Sequence, residues 1–224
     1  MQLLQKPTFT LLLLNLSFTR AAPMETLAIN SAPSDAQAKL LSMAYSGSGC
    51  PQGSASKEYD AQINSGRWFF DGISAQIGPN VPISKSTQNC EVQLSIQTAA
   101  GWRFAVRGKN AGSTSMTTRV NLQDGVAASS ITTYNIAGVG SQGTVRNDFS
   151  GPRNGECSFS DPAPGPAYPH SNCGGGILIV DHRVSLSRGS SSSPVGSIEL
   201  YGDGGSGPQN DNFVPLGALE WERC

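Results

Sequence analysis

Apolar and polar residues alternate along most of the chain from Lys39 onward. In CEVQLSIQT (Cys90–Thr98), Val92, Leu94 and Ile96 share one face, and Glu91, Gln93, Ser95 and Gln97 share the other. WRFAVRG repeats the pattern with Trp102, Phe104 and Val106. A period of two marks a half-buried β-strand. The short AAG between these runs (Ala99–Gly101) predicts a hairpin. TTRVNLQ and SSITTYNIAG follow, joined by a turn at Asp124-Gly125, and GTVRNDFSG, GILIVDHRVSLSR, GSIELYG and GALEWERC continue the alternation to the end. About ten strands at regular spacing with no convincing helix predict an all-β chain, a single antiparallel β-sandwich with one wet face per sheet.

Two stretches depart from the rule. In RWFFDGISAQIG, Trp68 and Phe70 share one parity while Ile73, Ala75 and Ile77 have the other. A bulge at Gly72 would turn both sets to one core. Gly151–Gly176, GPRNGECSFSDPAPGPAYPHSNCGGG, is too rich in proline for an interior strand and reads as one long irregular loop, a common seat of binding function.

Composition fits this picture. The chain has 26 glycines and 14 prolines among 224 residues, which suits many turns. A net charge of -1 with 14% charged residues lacks the basic surface that a nucleic-acid partner requires. At the N-terminus, Lys6, the apolar run PTFTLLLLNLSFT and the small residues of TRAAP have the order of a secretion signal, with Ala21 as its last residue. The run is short and interrupted by Asn15, so a membrane anchor is not expected. Residues 1–21 are thus read as signal peptide, 22–38 as a flexible, Pro-interrupted arm and 39–224 as the sandwich domain. The expected location is extracellular, and the protein is expected to be a monomer with no membrane, metal or cofactor.

Five cysteines in a secreted chain imply disulfides and one thiol left over. YSGSGCPQG (Tyr45–Gly53) sets three glycines and a proline around Cys50. As a phosphate cradle it lacks a following helix, and as a reactive thiol it lacks a neighbouring histidine. A stapled turn is the better reading.

Chemistry-bearing residues are few. GVGSQG (Gly138–Gly143) matches a dinucleotide fingerprint but leads into a strand, so it reads as a β-turn. His182 shares parity with Leu178, Val180, Val184 and Leu186 and reads as a core histidine; His170 lies in the Pro-rich loop and can serve as ligand or base. Glu220 and Glu222 project to one face of a terminal strand, about 7 Å apart along it, as paired carboxylates of a glycosidase would. Asp203, Asn210, Asp211 and Asn212 form an oxygen-rich loop without calcium-loop spacing, read as a plain turn. Phe69, Tyr134 and Tyr168 are candidate aromatics for stacking on sugar rings.

GCPQG (Gly49–Gly53), FDGISAQIGP (Phe70–Pro79), NCEVQLSI (Asn89–Ile96), FSGP (Phe149–Pro152), NCGG (Asn172–Gly175) and WERC (Trp221–Cys224) occur in an order and spacing that resemble the domain of unknown function 4360 family. The resemblance covers roughly Lys39 to Cys224. It implies a small secreted β protein of the kind found in fungi and some bacteria, and carries no established activity. It also implies four recurrent cysteine places, Cys50, Cys90, Cys173 and Cys224, with Cys157 an addition. On that footing the favoured pairs are Cys50–Cys90 and Cys173–Cys224, each joining the ends of neighbouring strands. The rival is Cys157–Cys173, which leaves Cys224 free. The functional expectation is a secreted, non-catalytic cell-wall or host-interface protein that binds polysaccharide or protein. The alternative is a secreted polysaccharide hydrolase or lyase acting through Glu220 and Glu222.

Overall fold

The structure, a computed structural model, describes residues 32–58, 67–70, 73–106, 115–160, 169–189, 194–202 and 219–224. Thirteen strands run through them: β1 (Lys39–Ser46), β2 (Ala55–Glu58), β3 (Arg67–Phe70), β4 (Ile73–Ile77), β5 (Thr87–Gln97), β6 (Trp102–Val106), β7 (Ser115–Leu122), β8 (Val126–Ile136), β9 (Gln142–Ser150), β10 (Arg153–Ser160), β11 (Gly175–Arg188), β12 (Gly196–Gly202) and β13 (Leu219–Arg223). The only helical pieces among the described residues are the 3-10 turns Ser34–Ala36 and Ile83–Lys85.

Strands β1-β5-β11-β8-β9 form a five-stranded sheet and β10-β7-β12-β4 a four-stranded one; β13-β6 and β2-β3 are two-stranded ribbons. Every pair is antiparallel. The two larger sheets enclose one apolar cluster that includes Val92, Leu94 and Val180 from one side and Ile73, Val120 and Ile198 from the other. Burial alternates as the sequence does: Ile73, Ala75 and Ile77 are buried with exposed residues between them. Each fully buried branched side chain of this kind stabilises the fold by about 1.5–3 kcal/mol.

The connections differ from the local expectation in three places. Ala99–Gly101 does form a turn, with Trp102 N donating to Ala99 O at 2.9 Å. The strands it joins are not partners, because β5 lies between β1 and β11 while β6 pairs with β13. Local turn chemistry sets a reversal but does not choose the ladder partners, which here come from distant segments. Likewise, β3 and β4 pair with different strands, β2 and β12, and the expected bulge at Gly72 lies outside the described residues. Third, residues 153–160 of the long irregular segment form edge strand β10, paired with β7 from Arg153↔Leu122 to Ser160↔Ser115. An edge strand buries little and so carries a weak hydrophobic pattern, and Pro152 stands just before it, where a ladder donor is not needed. The GVGSQG motif spans the turn between the antiparallel partners β8 and β9.

Ala36 and Ala38, assigned by sequence to the arm, pack into the body at 0% and 8% exposure, and Ala99 N donates to Ala36 O at 2.7 Å. Disulfides join Cys50 to Cys90 and Cys173 to Cys224, and Cys157 is a free thiol. Around the first bond the chain needs glycine: a Cβ on Gly47, at φ +148°, would lie 2.2 Å from Asn89 O. Tyr45–Gly53 is therefore a turn pressed against β5.

Candidate functional site

Two regions of the surface bring polar groups together. The first is the β6–β13 ribbon. Its register sets Glu220 opposite Ala105 and Glu222 opposite Arg103, so both carboxylates lie on one face of β13. The other face turns inward, with Leu219 buried and the Trp221 ring edge-on to Phe104 at 6.2 Å. On the far side of β6, His170 bridges to Ala105. This places His170 against Glu222: Nδ1 lies 3.1 Å from Oε2. Arg103 Nη2 approaches the same oxygen at 3.0 Å, and its Nε donates there at 3.1 Å.

The ribbon is also tied to its surroundings. Ser171 Oγ accepts from Phe104 N at 2.9 Å and donates to Asn172 O at 3.0 Å. Arg223 lies 4.8 Å over the Trp102 ring and pairs with Asp35. Cys224 N donates to Gly101 O at 3.0 Å, next to its disulfide with Cys173. In this arrangement Glu222 carries two cationic or protonatable donors on one oxygen, the geometry of a structural clasp.

The second region is the solvent face of the five-stranded sheet. Cross-strand register lays out rows at right angles to the strands. One row runs Ser46, Glu91, Asp181, Thr133, Thr144, and the next runs Ala44, Gln93, Ile179, Asn135, Gln142. A further row sets Asn89 beside Arg183, Ile131 and Arg146. Strands about 4.8 Å apart and side chains about 6.8 Å apart along each strand make this a regular grid of amides and hydroxyls. Its charges balance: Lys39, Arg183 and Arg146 against Glu91, Asp181 and Asp148, with Arg146 and Asp148 paired at 2.8 Å. Ile177, 41% exposed and opposite Ser95, adds apolar ground.

Asp181 is half-buried on this face. Burial raises its carboxyl pKa; the hydrogen bond from Asn89 opposes the rise, neighbouring Glu91 adds to it, and Arg183 opposes it. Its Oδ1 is buried with no hydrogen-bond partner among the described residues. Glu91 accepts from Gln93 Nε2 at 2.7 Å.

The remaining candidates are distributed elsewhere. Tyr134 is not a surface platform: it is 5% exposed on the inner face of β8, because even-numbered residues of that strand face the core. The Phe69 side chain and Tyr168 lie outside the described residues, as do Asp203, Asn210, Asp211 and Asn212. His182 is buried, its Nδ1 lies 3.0 Å from Thr132 Oγ1, and burial lowers its pKa to about 4. The sequence singled out Glu222 and His170 separately; Arg103, which meets His170's partner Glu222 at the same oxygen, carried no signal beyond being a polar residue on a strand. Asp181 was equally silent, since its burial and its Asn89 and Glu91 neighbours on β5 exist only in the assembled sheet. No group of three or more His, Cys, Asp or Glu fit to hold a metal occurs among the described residues.

A family model described as domain of unknown function (DUF4360) matches residues 36–224. An uncharacterized secreted protein of Arthroderma benhamiae is 26% identical over 157 residues, 70% of this chain. The match spans 62% of that relative's length, under two thirds of it. The solved structure of TmCBM61 in complex with beta-1,4-galactotriose aligns with 87% of this chain and 98% of its own, at 10% identity and a TM-score of 0.25, too loose a likeness to carry an argument. No helix among the described residues is long and apolar enough to cross a membrane.

Proposed function

Because the chain belongs to the family known as domain of unknown function 4360, whose name carries no activity, we propose a function from its surfaces: an extracellular, non-catalytic protein that binds an uncharged polysaccharide on the solvent face of the five-stranded sheet. In this reading residues 1–21 are removed as a secretion signal. The secreted relative supports the compartment.

The observation that carries the reading is the charge-balanced grid around Gln93 and Asn135, which flank Ile179 in one row. A neutral polymer offers hydroxyls in a fixed repeat and C–H faces between them. Side-chain amides and hydroxyls replace the water those hydroxyls lose, and an exposed isoleucine covers a C–H face. A polyanion or polycation would instead require a face of one sign. Against the hydrolase alternative stands the engagement of Glu222, whose carboxylate Arg103 holds as an ion pair while His170 Nδ1 lies 3.1 Å from the same oxygen.

The test is retention of the secreted protein on insoluble chitin, cellulose and β-glucan at low and high salt. Binding to at least one polymer, changed less than about twofold by salt and weakened about tenfold or more in Gln93→Ala/Asn135→Ala, is the expected result. Retention on none of them, or release of soluble sugars from any, overturns the reading.

A further inference from the structure

Two disulfides leave Cys157 as the free thiol. It lies on edge strand β10, and its register partner across the ladder is Thr118 of β7. Directly opposed residues project to the same side of a sheet, with Cβ atoms about 5 Å apart. Here that side is the interior: Thr118 and Val120 are 0% exposed, and Cys157 packs against the core while keeping part of its surface in solvent.

The Thr118 hydroxyl is orphaned. Its Oγ1 is buried and meets no hydrogen-bond partner among the described residues. Leaving a buried polar group unsatisfied is costly, and folded proteins keep few of them. A second donor approaches the sulfur itself: Arg153 Nη2 lies 2.8 Å from Cys157 Sγ. The Arg153 guanidinium is steadied over the Phe149 ring at 5.5 Å. The thiol therefore has two O-seeking donors beside it, one of them unused.

We propose that Cys157 is an oxidation site for hydrogen peroxide, and that Thr118 and Arg153 house the oxygen of its sulfenic acid. The sulfur attacks one peroxide oxygen, the O–O bond breaks and an S–O bond forms. The other oxygen leaves as hydroxide and combines with the thiol proton as water. Sulfur loses two electrons and peroxide gains them. The oxygen added to Sγ accepts from the Thr118 hydroxyl and from the Arg153 guanidinium. The exposed part of the sulfur gives peroxide access to it. The other four cysteines are already joined in disulfides, so no resolving thiol stands by to consume the product.

The experiment treats the full secreted chain with hydrogen peroxide in the presence of dimedone, which traps sulfenic acid, and maps adducts by peptide mass spectrometry. One adduct, on Cys157, is expected. Thr118→Val keeps the side-chain shape and removes the orphaned hydroxyl, so it should melt no lower than the parent and form adduct roughly threefold to tenfold more slowly. Arg153→Met should slow it similarly, and Arg153→Lys should recover part of the rate. Absence of adduct, equal rates in all variants, a lower melting point for Thr118→Val, or a covalent dimer on a non-reducing gel would each overturn the proposal.

Discussion

One oxygen of Glu222, Oε2, receives both His170 Nδ1 at 3.1 Å and Arg103 Nη2 at 3.0 Å, joining three chain segments that are far apart in sequence. Side chains of this set are 22–39% exposed, so water screens the pair and its worth is modest. Glu222→Gln should lower unfolding free energy by about 1 kcal/mol in urea titrations. Polysaccharide retention should stay within about twofold of the parent. A loss of retention with unchanged stability would move the binding surface from the sheet face to the ribbon.

The layered, alternating architecture was legible because most strands bury one face only, and Val92, Leu94 and Ile96 announce that face directly. Partner choice was not legible. β5 looked like half of a hairpin with β6, yet it is a central strand flanked by β1 and β11. Edge strand β10 escaped notice because Arg153, Asn154, Gly155 and Glu156 are all exposed. At the sites, sequence parity placed Glu220 and Glu222 on one face, since parity is a property of one strand. Tyr134, a candidate for stacking on sugar rings, is instead a buried residue among polar sequence neighbours. Parity was blind to Asp181, whose environment is built by Asn89 and Glu91 on another strand.

Gly47 is a packing requirement that can be tested without reference to function. A methyl there would lie 2.2 Å from Asn89 O and 3.0 Å from Cys90 Cα, at a φ that L-residues avoid. Gly47→Ala should destabilise the protein by more than about 2 kcal/mol and lower the yield of the Cys50–Cys90 bond. Gly53→Ala is the informative control, since its Cβ would meet open space. It still pays the strain of φ +90°, so a small loss is expected there and a large one at Gly47.

Buried His182 and half-buried Asp181 push stability in opposite directions with pH. His182 has a pKa of about 4 in the folded state against 6.5 when unfolded, because burial disfavours its cation. Its contribution is present above pH 6.5 and is lost as pH falls toward 4, by about 3 kcal/mol in all. Asp181 has a raised folded pKa, so its protonated form suits the fold: stability is fully present below its unfolded value of 3.8 and is lost as pH rises through the folded value. His182→Gln should flatten the stability profile between pH 6.5 and 4. Asp181→Asn should raise the melting temperature at neutral pH and leave it nearly unchanged in strong acid. Denaturation curves across this range decide both.

The two disulfides sit in opposite environments, and reduction should separate them. Cys50 and Cys90 are 0% exposed, beneath the Gly47 turn, whereas Cys173 and Cys224 are exposed at the end of the β6–β13 ribbon. Thiol–disulfide exchange needs a thiolate to reach a sulfur, so access sets the order of attack. Mild dithiothreitol should open Cys173–Cys224 first, with differential alkylation giving labelled Cys173 and Cys224 while Cys50 and Cys90 remain protected. The opened protein should stay folded, because the Trp221 contact with Phe104 and the Glu222 clasp still hold β13. It should lose up to roughly 4 kcal/mol on the loop-entropy model, and Cys173→Ser/Cys224→Ser should reproduce that loss without reductant. Simultaneous labelling of all four cysteines at the lowest effective reductant would show that the ribbon and the sandwich open as one unit.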